Sequence, residues 1–391
     1  MCLYVLLPAT SVTSGTVCEW GEFSLSGSQC QPWLDCHAMS LLSVGDLLGY
    51  GAVKKVYASV WESHPVALVF LHNEAFLNDF LTGLNNLKIL QLYPGQVVKL
   101  VGHCEQSRVY VSELHTHADA ANFHGFISHR KFLSYQDEFN FRFDLCTKYV
   151  EIITTLHSFP LGPLVMCDSN TLEKTLEQYL LSDDKLLFLS DTDALPMVTK
   201  RKKRLSSRHS PNSPSTSYSC PSANPYTNSV DEMSMYEPSS GVLVRSLTWS
   251  APGLQEALHQ LHSSAEVIRC GQRQITGDFA APEQRHVACT DILGRDHKQV
   301  EIESPSNEGT SARRAEDCLA LYDEATDIFK IPDVCEFFLG DAIVTELVEK
   351  LSLIRSQCKK THPFDRPTAV QVLQFYRKLR SEVDTSIKTV P

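Results

Sequence analysis

The fold of this chain is decided by the stretch Gly277-Asp278-Phe279-Ala280-Ala281-Pro282-Glu283 and by what surrounds it at a distance. Further along the chain come Asp327-Ile328-Phe329 and Asp365-Arg366-Pro367-Thr368. Two acidic strings come before the Gly277–Glu283 stretch: Val165-Met166-Cys167-Asp168-Ser169-Asn170 and Phe188-Leu189-Ser190-Asp191-Thr192-Asp193. Each string is weak when taken alone, so the inference depends on the order and spacing of all five.

A glycine turn near the front of the chain adds a sixth signal, in Leu48-Gly49-Tyr50-Gly51-Ala52-Val53-Lys54-Lys55. Gly-x-Gly before a strand is typical of an ordinary hairpin as well as of a phosphate loop. The next candidate strand, Val66-Ala67-Leu68-Val69, carries no lysine. If the chain binds ATP, Lys54 therefore supplies the phosphate-binding cation. The alternative is a solvated strand lysine, which is how we interpret Lys55.

Together these signals resemble the signatures of the protein kinase fold. Ala281-Pro282-Glu283 matches the element that ends the activation segment, and Arg366 matches the distant arginine that pairs with that glutamate. Asp327 matches the buried aspartate that braces the catalytic loop. The resemblance implies an α+β, bilobal protein-kinase-like fold with a β-rich N-lobe and a helical C-lobe.

The hydrophobic pattern agrees with this outline and predicts strands at Lys55–Trp61 and Val109–Glu113 and a helix at Glu74–Leu90. We predict an N-terminal stem over residues 1–45, an N-lobe over 46–114 and a C-lobe over 115–386. A low-complexity insert, rich in Ser, Pro and Asn at about 199–269, interrupts the C-lobe, and a divergent stretch follows at 285–321. Both inserts flank the expected acceptor site.

Composition limits the partners. The chain has 391 residues, 43% of them apolar, and a net charge of −11, so no global field draws it to nucleic acid. The apolar start, Met1 to Val12, is shorter than the roughly 20 residues of a membrane span and lacks the basic flank of a signal peptide. A truncated membrane anchor and a plain strand both stay open, and membrane attachment is expected only through such an anchor.

Phosphoryl transfer needs phosphate clamps, a metal held by carboxylates and a base near the acceptor hydroxyl. Asp168 falls at the position of the base, and Asp191 at the position of the Mg²⁺ ligand. Asn170 is a candidate second ligand. The ATP phosphates are assigned to three residues of the glycine turn, Gly49, Gly51 and Lys54. The alternatives are that Asp168 caps a helix predicted over Thr171–Leu181 and that Asp191 is a solvated acid at a strand end.

Four departures from the kinase signatures bear on activity. His-Arg-Asp is replaced by Met166-Cys167-Asp168, and Asp-Phe-Gly by Asp191-Thr192-Asp193. Glu173 stands where the metal-binding asparagine is expected. The helix carboxylate that would pair with the phosphate lysine is either Glu74 or Asp79, and the spacing does not choose between them.

Several strings resemble the protein O-mannose kinases from about Cys18 to Lys378. They are Pro32-Trp33-Leu34 with Cys36, Val165–Asn170, Asp193-Ala194-Leu195-Pro196, Tyr322-Asp323-Glu324 and Lys330-Ile331-Pro332-Asp333. The resemblance implies a secretory-pathway kinase of the endoplasmic reticulum membrane with a lumenal catalytic domain. Such a kinase transfers the γ-phosphate of ATP to the 6-hydroxyl of mannose in an O-linked trisaccharide on α-dystroglycan.

The same resemblance covers a set of cysteines that fit disulfides in an oxidising lumen. They are Cys18, Cys30, Cys36, Cys104, Cys167, Cys270 and Cys358. The pairing stays open, because sequence alone does not determine it. Buried free thiols are the alternative.

Three functions follow from these features. The first is an active carbohydrate kinase that uses Asp168, Asp191 and Lys54. The second is a pseudokinase that holds a glycan or a partner protein without turnover, suggested by Glu173 and the undecided helix carboxylate. The third is a cytosolic Ser/Thr protein kinase, which the acidic charge permits and the cysteine pattern disfavours.

Overall fold

The computed structural model describes residues 4–6, 18–115, 119–182, 187–198, 244–246, 278–284, 323–340 and 345–388. Most of the insert predicted at 199–269, and all of the stretch 285–321, lie outside these residues. Within them, a β-rich small lobe is followed by a helical large lobe. The predicted α+β, bilobal protein-kinase-like class is confirmed.

Eleven strands are described. In chain order they are β1 (Tyr4–Leu6), β2 (Glu22–Phe23), β3 (Gln31–Pro32), β4 (Leu47–Tyr50), β5 (Lys54–Trp61), β6 (His64–Leu71), β7 (Leu100–Cys104), β8 (Val109–Glu113), β9 (Tyr179–Leu181), β10 (Leu187–Leu189) and β11 (Val244–Ser246). The small lobe is a five-stranded antiparallel sheet in the order β4-β5-β6-β8-β7. The pairs β1–β11, β2–β3 and β9–β10 are separate two-stranded ribbons.

Eight α-helices are described: α1 (Cys36–Ser40), α2 (Leu77–Leu90), α3 (Phe123–His129), α4 (Tyr135–His157), α5 (Leu172–Leu176), α6 (Ala325–Leu339), α7 (Thr345–Cys358) and α8 (Ala369–Lys388). Short 3-10 helices cover Glu74–Phe76, Ala120–Asn122, Pro282–Gln284 and Pro363–Asp365. No helix among the described residues is long and apolar enough to cross a membrane.

Both faces of the small-lobe sheet are covered, because side chains alternate along each strand. Val69 of β6 faces the core that α2 closes with Phe80 and Leu84. Its neighbour Leu68 faces the opposite side, where it joins a second apolar cluster. This second cluster includes side chains from the segment before β4, so that segment covers the outer face of the sheet.

The described part of the predicted stem is fastened to the small lobe at several points. One disulfide, Cys18–Cys30, closes the segment on itself, and a second, Cys36–Cys104, ties α1 to β7. The Trp20 indole Nε1 donates a 2.9 Å hydrogen bond to the backbone carbonyl of Lys88 at the end of α2. The stem therefore contacts both the sheet and α2.

The large lobe is built around α4 and α6. The Ser134 side chain caps α4 by accepting a hydrogen bond from the backbone N–H of Asp137, and most of the long apolar stripe of α4 is buried. A disulfide between Cys146 and Cys335 joins α4 to α6. Neither cysteine was in our predicted set, because each lies within the buried apolar face of its helix.

Two predictions about this lobe are wrong. Cys358, predicted to form a disulfide, is a free, buried thiol at the end of α7. The helix predicted over Thr171–Leu181 ends as α5 at Leu176, because the following residues pair with β10 as β9. Cys167 is disulfide-bonded, as the resemblance implied. Cys270 lies outside the described residues.

Candidate active site

The glycine turn connects β4 to β5 and is open to solvent on its outer side. The backbone N–H of Gly51 donates to the carbonyl of Lys54 at 2.8 Å, which closes the turn. Among the residues that the structure describes, no heavy atom would lie within 4 Å of a Cβ added at Gly49 or Gly51. Packing against these residues therefore does not require glycine at either position, whereas close approach of a ligand to this backbone would.

Lys54, the first residue of β5, points its ammonium at two carboxylates. Its Nζ lies 2.9 Å from Asp191 Oδ1 and 3.0 Å from Asp193 Oδ1. The Lys54 side chain is only 13% exposed. Burial disfavours its charge, but the two carboxylates outweigh burial and raise the pKa of Lys54 well above its ordinary value. Val69 belongs to the neighbouring strand, which carries no lysine in its Val66–Val69 stretch, and its side chain is buried in the sheet.

The two aspartates stand in different environments. Asp191 is about one-third exposed at 32%, whereas the side chain of Asp193 is 8% exposed. Burial raises the pKa of Asp191, but the neighbouring Lys54 charge and hydrogen bond more than offset this effect and the pKa is lowered. For Asp193 burial prevails over Lys54 and raises the pKa to about 7. Asp191 is therefore the more readily ionised and the more accessible acid.

The segment that carries these aspartates is fixed against α2. Thr192 donates from its hydroxyl to the carbonyl of Gly83 at 2.7 Å. Asn86 donates from its side-chain amide to the carbonyls of Thr192 at 2.9 Å and Leu195 at 3.2 Å. A Cβ at Gly83 would lie 1.9 Å from Asp193 Oδ1, so only glycine permits this approach.

The helix carboxylate left undecided by the sequence is not a partner of Lys54 in the part of the chain that the structure describes. Glu74 forms an ion pair with Arg108 instead. The charge of Asp79 is felt at Asp193, whose pKa it helps to raise. The carboxylates that hold Lys54 thus come from the segment after β10 rather than from α2.

Asp168 lies in the loop before α5, with its Oδ2 3.6 Å from the Lys174 ammonium. The N-cap of α5 is Thr171, whose side chain accepts a hydrogen bond from the backbone N–H of Lys174. The alternative interpretation of Asp168 as the helix cap is therefore wrong. Asn170 is half-buried in the same loop, and Glu173 lies in the first turn of α5.

Two buried residues of α6 brace this loop from below. Asp327 Oδ2 accepts a 3.1 Å hydrogen bond from the backbone N–H of Met166 and lies 3.1 Å from His157 Nε2. Lys330 donates from its ammonium to the Ser169 hydroxyl at 2.5 Å. Burial lowers the pKa of Lys330 to about 8, against the opposing charge of Asp327. The sequence alone indicated no structural role for Lys330.

Glu283 and Arg366 are brought together as a bidentate ion pair, with distances of 2.5 Å and 2.8 Å between guanidinium nitrogens and carboxylate oxygens. The Arg366 side chain is fully buried and also donates to the carbonyls of Ala325 and Lys360. The guanidinium lies over the ring of Phe329, 4.9 Å from its centroid. This pair links the segment 278–284 to α6 and to the turn before α8.

The donor set suits a hard divalent cation such as Mg²⁺. Within the described ranges no group of three or more His, Cys, Asp or Glu side chains could hold a metal ion. Mg²⁺ is usually bound through one or two carboxylates together with substrate phosphates, so a smaller set is sufficient. Asp191 offers an ionised, partly exposed carboxylate, and Asn170 is half-buried in the loop before α5. The residues present therefore fit such an ion.

These elements define the class of protein to which the chain belongs. A glycine turn, a buried lysine on the following strand, an acidic segment after β10 and a braced loop with Asp168 lie in a bilobal protein-kinase-like fold, the fold of phosphotransferases. No protein-family model matches the chain. Individual proteins do match, and they cover most of its length.

The chain is 32% identical over 368 residues to protein O-mannose kinase of Gallus gallus, covering 93% of this chain and 80% of that protein. It is 31% identical over 385 residues to protein O-mannose kinase of Homo sapiens, with coverage of 97% and 85%. The protein of the same name from Xenopus laevis is 31% identical over 366 residues, with coverage of 93% and 80%. The chain belongs to the protein O-mannose kinase family.

Sequence reasoning missed the way these residues meet. Asp193 was noted as a departure from Asp-Phe-Gly and as part of a family string, and no local signal indicates that it reaches Lys54. Tyr110 of β8 also lies beside Lys54, in contact with its ammonium, and burial raises the pKa of Tyr110 to about 12. The lysine at position 330 follows Asp327 by three residues, and this helical spacing was the one available signal that both face the same loop.

Proposed function

We propose that the protein transfers the γ-phosphate of ATP to the 6-hydroxyl of the mannose in an O-linked trisaccharide on α-dystroglycan. Membership of the protein O-mannose kinase family supports phosphorylation of O-linked mannose. The observation that carries the proposal is the contact between Lys54 and Asp191, because it joins the glycine turn to the acidic segment at one point. A phosphate clamp and a metal ligand would have to meet in this way.

In the proposed reaction the mannose hydroxyl oxygen forms a bond to the γ-phosphorus. The bond between that phosphorus and the bridging oxygen breaks, and ADP leaves with the electron pair. Asp168 accepts the hydroxyl proton, and Lys54 binds the phosphates next to the backbone of Gly49 and Gly51. Asp191, with Asn170 as a candidate second ligand, would hold Mg²⁺, which neutralises phosphate charge when bound.

The disulfides support the proposed setting. The disulfides Cys18–Cys30, Cys36–Cys104 and Cys146–Cys335 are typical of an oxidising compartment, which favours the lumen of the endoplasmic reticulum. An N-terminal anchor would supply the membrane attachment. The net charge of −11 gives no reason to expect nucleic acid as a partner.

Three proteins test the reaction with Mg-ATP and the core trisaccharide: the wild type, Asp168→Ala and Glu177→Gln. Glu177 is a matched control because it also contacts Lys174, at 3.1 Å, but has no place in the proposed chemistry. We expect phosphate on mannose with the wild type and Glu177→Gln, and none with Asp168→Ala. Glycan binding without transfer would favour the pseudokinase, and transfer only to peptide hydroxyls would favour a Ser/Thr kinase.

A further inference from the structure

Lys54 shares its ammonium between two carboxylates that differ in their access to solvent. Both lie about 3 Å away, at 2.9 Å for Asp191 and 3.0 Å for Asp193. The backbone N–H of Asp193 donates to Asp191 Oδ1 at 3.1 Å, and this turn brings both side chains to the lysine. The turn therefore brings the two acids together, and the packing of Asp193 on Gly83 of α2 holds one of them in place.

Only one of the two acids can leave Lys54 without breaking the packing. Asp191 is about one-third exposed, so an incoming cation can reach it. Asp193 lies so close to α2 that a Cβ on Gly83 would be 2.9 Å from its Cα. Thr192, between the two acids, is buried and donates to the Gly83 carbonyl. Asp193 thus stays where it is when Asp191 is engaged elsewhere.

A lysine ammonium has three N–H donors, and Nζ of Lys54 lies about 3 Å from a carboxylate oxygen of both Asp191 and Asp193. A phosphate oxygen reaches the ammonium more readily if one of these acceptors moves away. A cation that binds Asp191 would move that acceptor away from Lys54. Asp193 would then be the side chain that keeps the ammonium aimed at the glycine turn.

We propose that Asp193 is the positioning partner of Lys54, in the place that a carboxylate of α2 does not fill. This inference rests on the proposed function, because it assigns Lys54 to nucleotide phosphate. It separates the two acids: Asp191 serves the metal, and Asp193 serves the lysine. Asp193 turns Oδ1 toward Lys54, and its buried Oδ2 has no hydrogen-bond partner among the residues that the structure describes.

Binding of a fluorescent ADP analogue tests the proposal without any acceptor, both with Mg²⁺ and with EDTA. Asp193→Asn keeps the shape of the side chain, and Gly83→Ala displaces Asp193 while leaving its charge. We expect each to weaken binding about tenfold or more, in EDTA as well as in Mg²⁺. Gly125→Ala in α3 is the matched control, because a Cβ there meets no described atom within 4 Å, and this variant should bind like the wild type.

Two further variants define what would overturn the proposal. In a Lys54→Met background, Asp193→Asn should cause no additional loss, since its effect passes through the lysine. A further loss, or a loss seen only with Mg²⁺, would make Asp193 a metal ligand instead. A loss for Asp79→Asn equal to that for Asp193→Asn would return the role to α2.

Thermal unfolding checks that each variant folds. The separate KM values for ATP and for the acceptor then distinguish a defect at the nucleotide site from a general loss of structure. KM for ATP should rise for Asp193→Asn, whereas KM for the acceptor should stay within about twofold. Wild-type affinity in both Asp193→Asn and Gly83→Ala would refute the inference and leave the proposed function intact. A wild type that binds no nucleotide would refute the proposed function itself.

Discussion

The Lys330 ammonium donates a 2.5 Å hydrogen bond to the hydroxyl of Ser169, the residue next to Asp168. Ser169 in turn donates to the carbonyl of Met166 at 2.7 Å. A buried cation of α6 is therefore joined to the loop that carries the proposed base. This contact fixes the loop at a cost, since burial lowers the pKa of Lys330 to about 8.

Lys330→Met should change how stability depends on pH. In the unfolded chain the lysine pKa is about 10.4. Below pH 8 both states carry the charge, and the folded state bears the full burial penalty. Between about pH 8 and 10 the folded protein loses the proton before the unfolded chain does, so wild-type stability gains relative to the variant. The difference in Tm between the two proteins, measured from pH 7 to 10, should shift in favour of the wild type.

The control for that experiment is Lys350→Met, which removes an exposed lysine paired with Glu382. A surface pair of this kind contributes little to stability, so the Tm difference between this variant and the wild type should be small across this pH range. If the Tm difference between Lys330→Met and the wild type did not change with pH, the Lys330 ammonium would not be buried in the folded state.

Lys54→Ala should abolish phosphate transfer, whereas Lys55→Ala should change it little. The reason is strand geometry: successive side chains of β5 point to opposite faces, and only Lys54 meets the acidic segment. Initial rates with Mg-ATP and the trisaccharide measure the effect, and Tm values confirm folding. Full activity of Lys54→Ala would place the phosphate clamp elsewhere.

Arg366→Ala should destabilise the protein by about 3–5 kcal/mol, the range for breaking a buried ion pair and leaving one charge behind. Glu283 would be stranded, and the carbonyl of Ala325 would lose a donor. Urea unfolding measures the free energy of unfolding. The double variant Glu283→Gln with Arg366→Met should recover part of the loss, and its failure to do so would show that packing, not charge, dominates.

The disulfide between Cys146 and Cys335 should stabilise the large lobe by about 2–5 kcal/mol, because it closes a loop of 189 residues. Replacing both cysteines with alanine should lower Tm and should reduce the further drop that a reductant causes. Cys358→Ala is the control, since Cys358 is a free thiol and the reductant effect should be retained. An unchanged reductant effect in the double variant would argue that this bond does not form.

Periodicity was sufficient for most elements of the small lobe. The predicted strands Lys55–Trp61 and Val109–Glu113 match β5 and β8 closely, and the predicted helix over Glu74–Leu90 contains α2 after one 3-10 turn. These segments were predictable because their apolar positions recur at the spacing of a strand or of a helix. The helix predicted beyond Leu176 failed because strand pairing with β10, a non-local contact, overrode the local pattern.

The partners of Lys54 could not have been predicted in the same way. Lys54 and Asp191 are 137 positions apart, and nothing in either local sequence encodes their meeting. The sequence suggested the lysine and the aspartates separately, from spacing and resemblance. Which acid holds the lysine depends on how closely Asp193 packs on Gly83, and such a distance is a property of the folded chain.

Helix α2 is fastened on two sides. At its C-terminal end Trp20 donates to the Lys88 carbonyl, and further back Gly83 and Asn86 hold the acidic segment. Turning this helix outward would break the contacts to the stem and to the acidic segment together. In an enzyme assembled in this way, the position of α2 is fixed when the chain folds. We therefore expect the rate of phosphate transfer to depend on the concentrations of nucleotide and acceptor rather than on a movement of that helix.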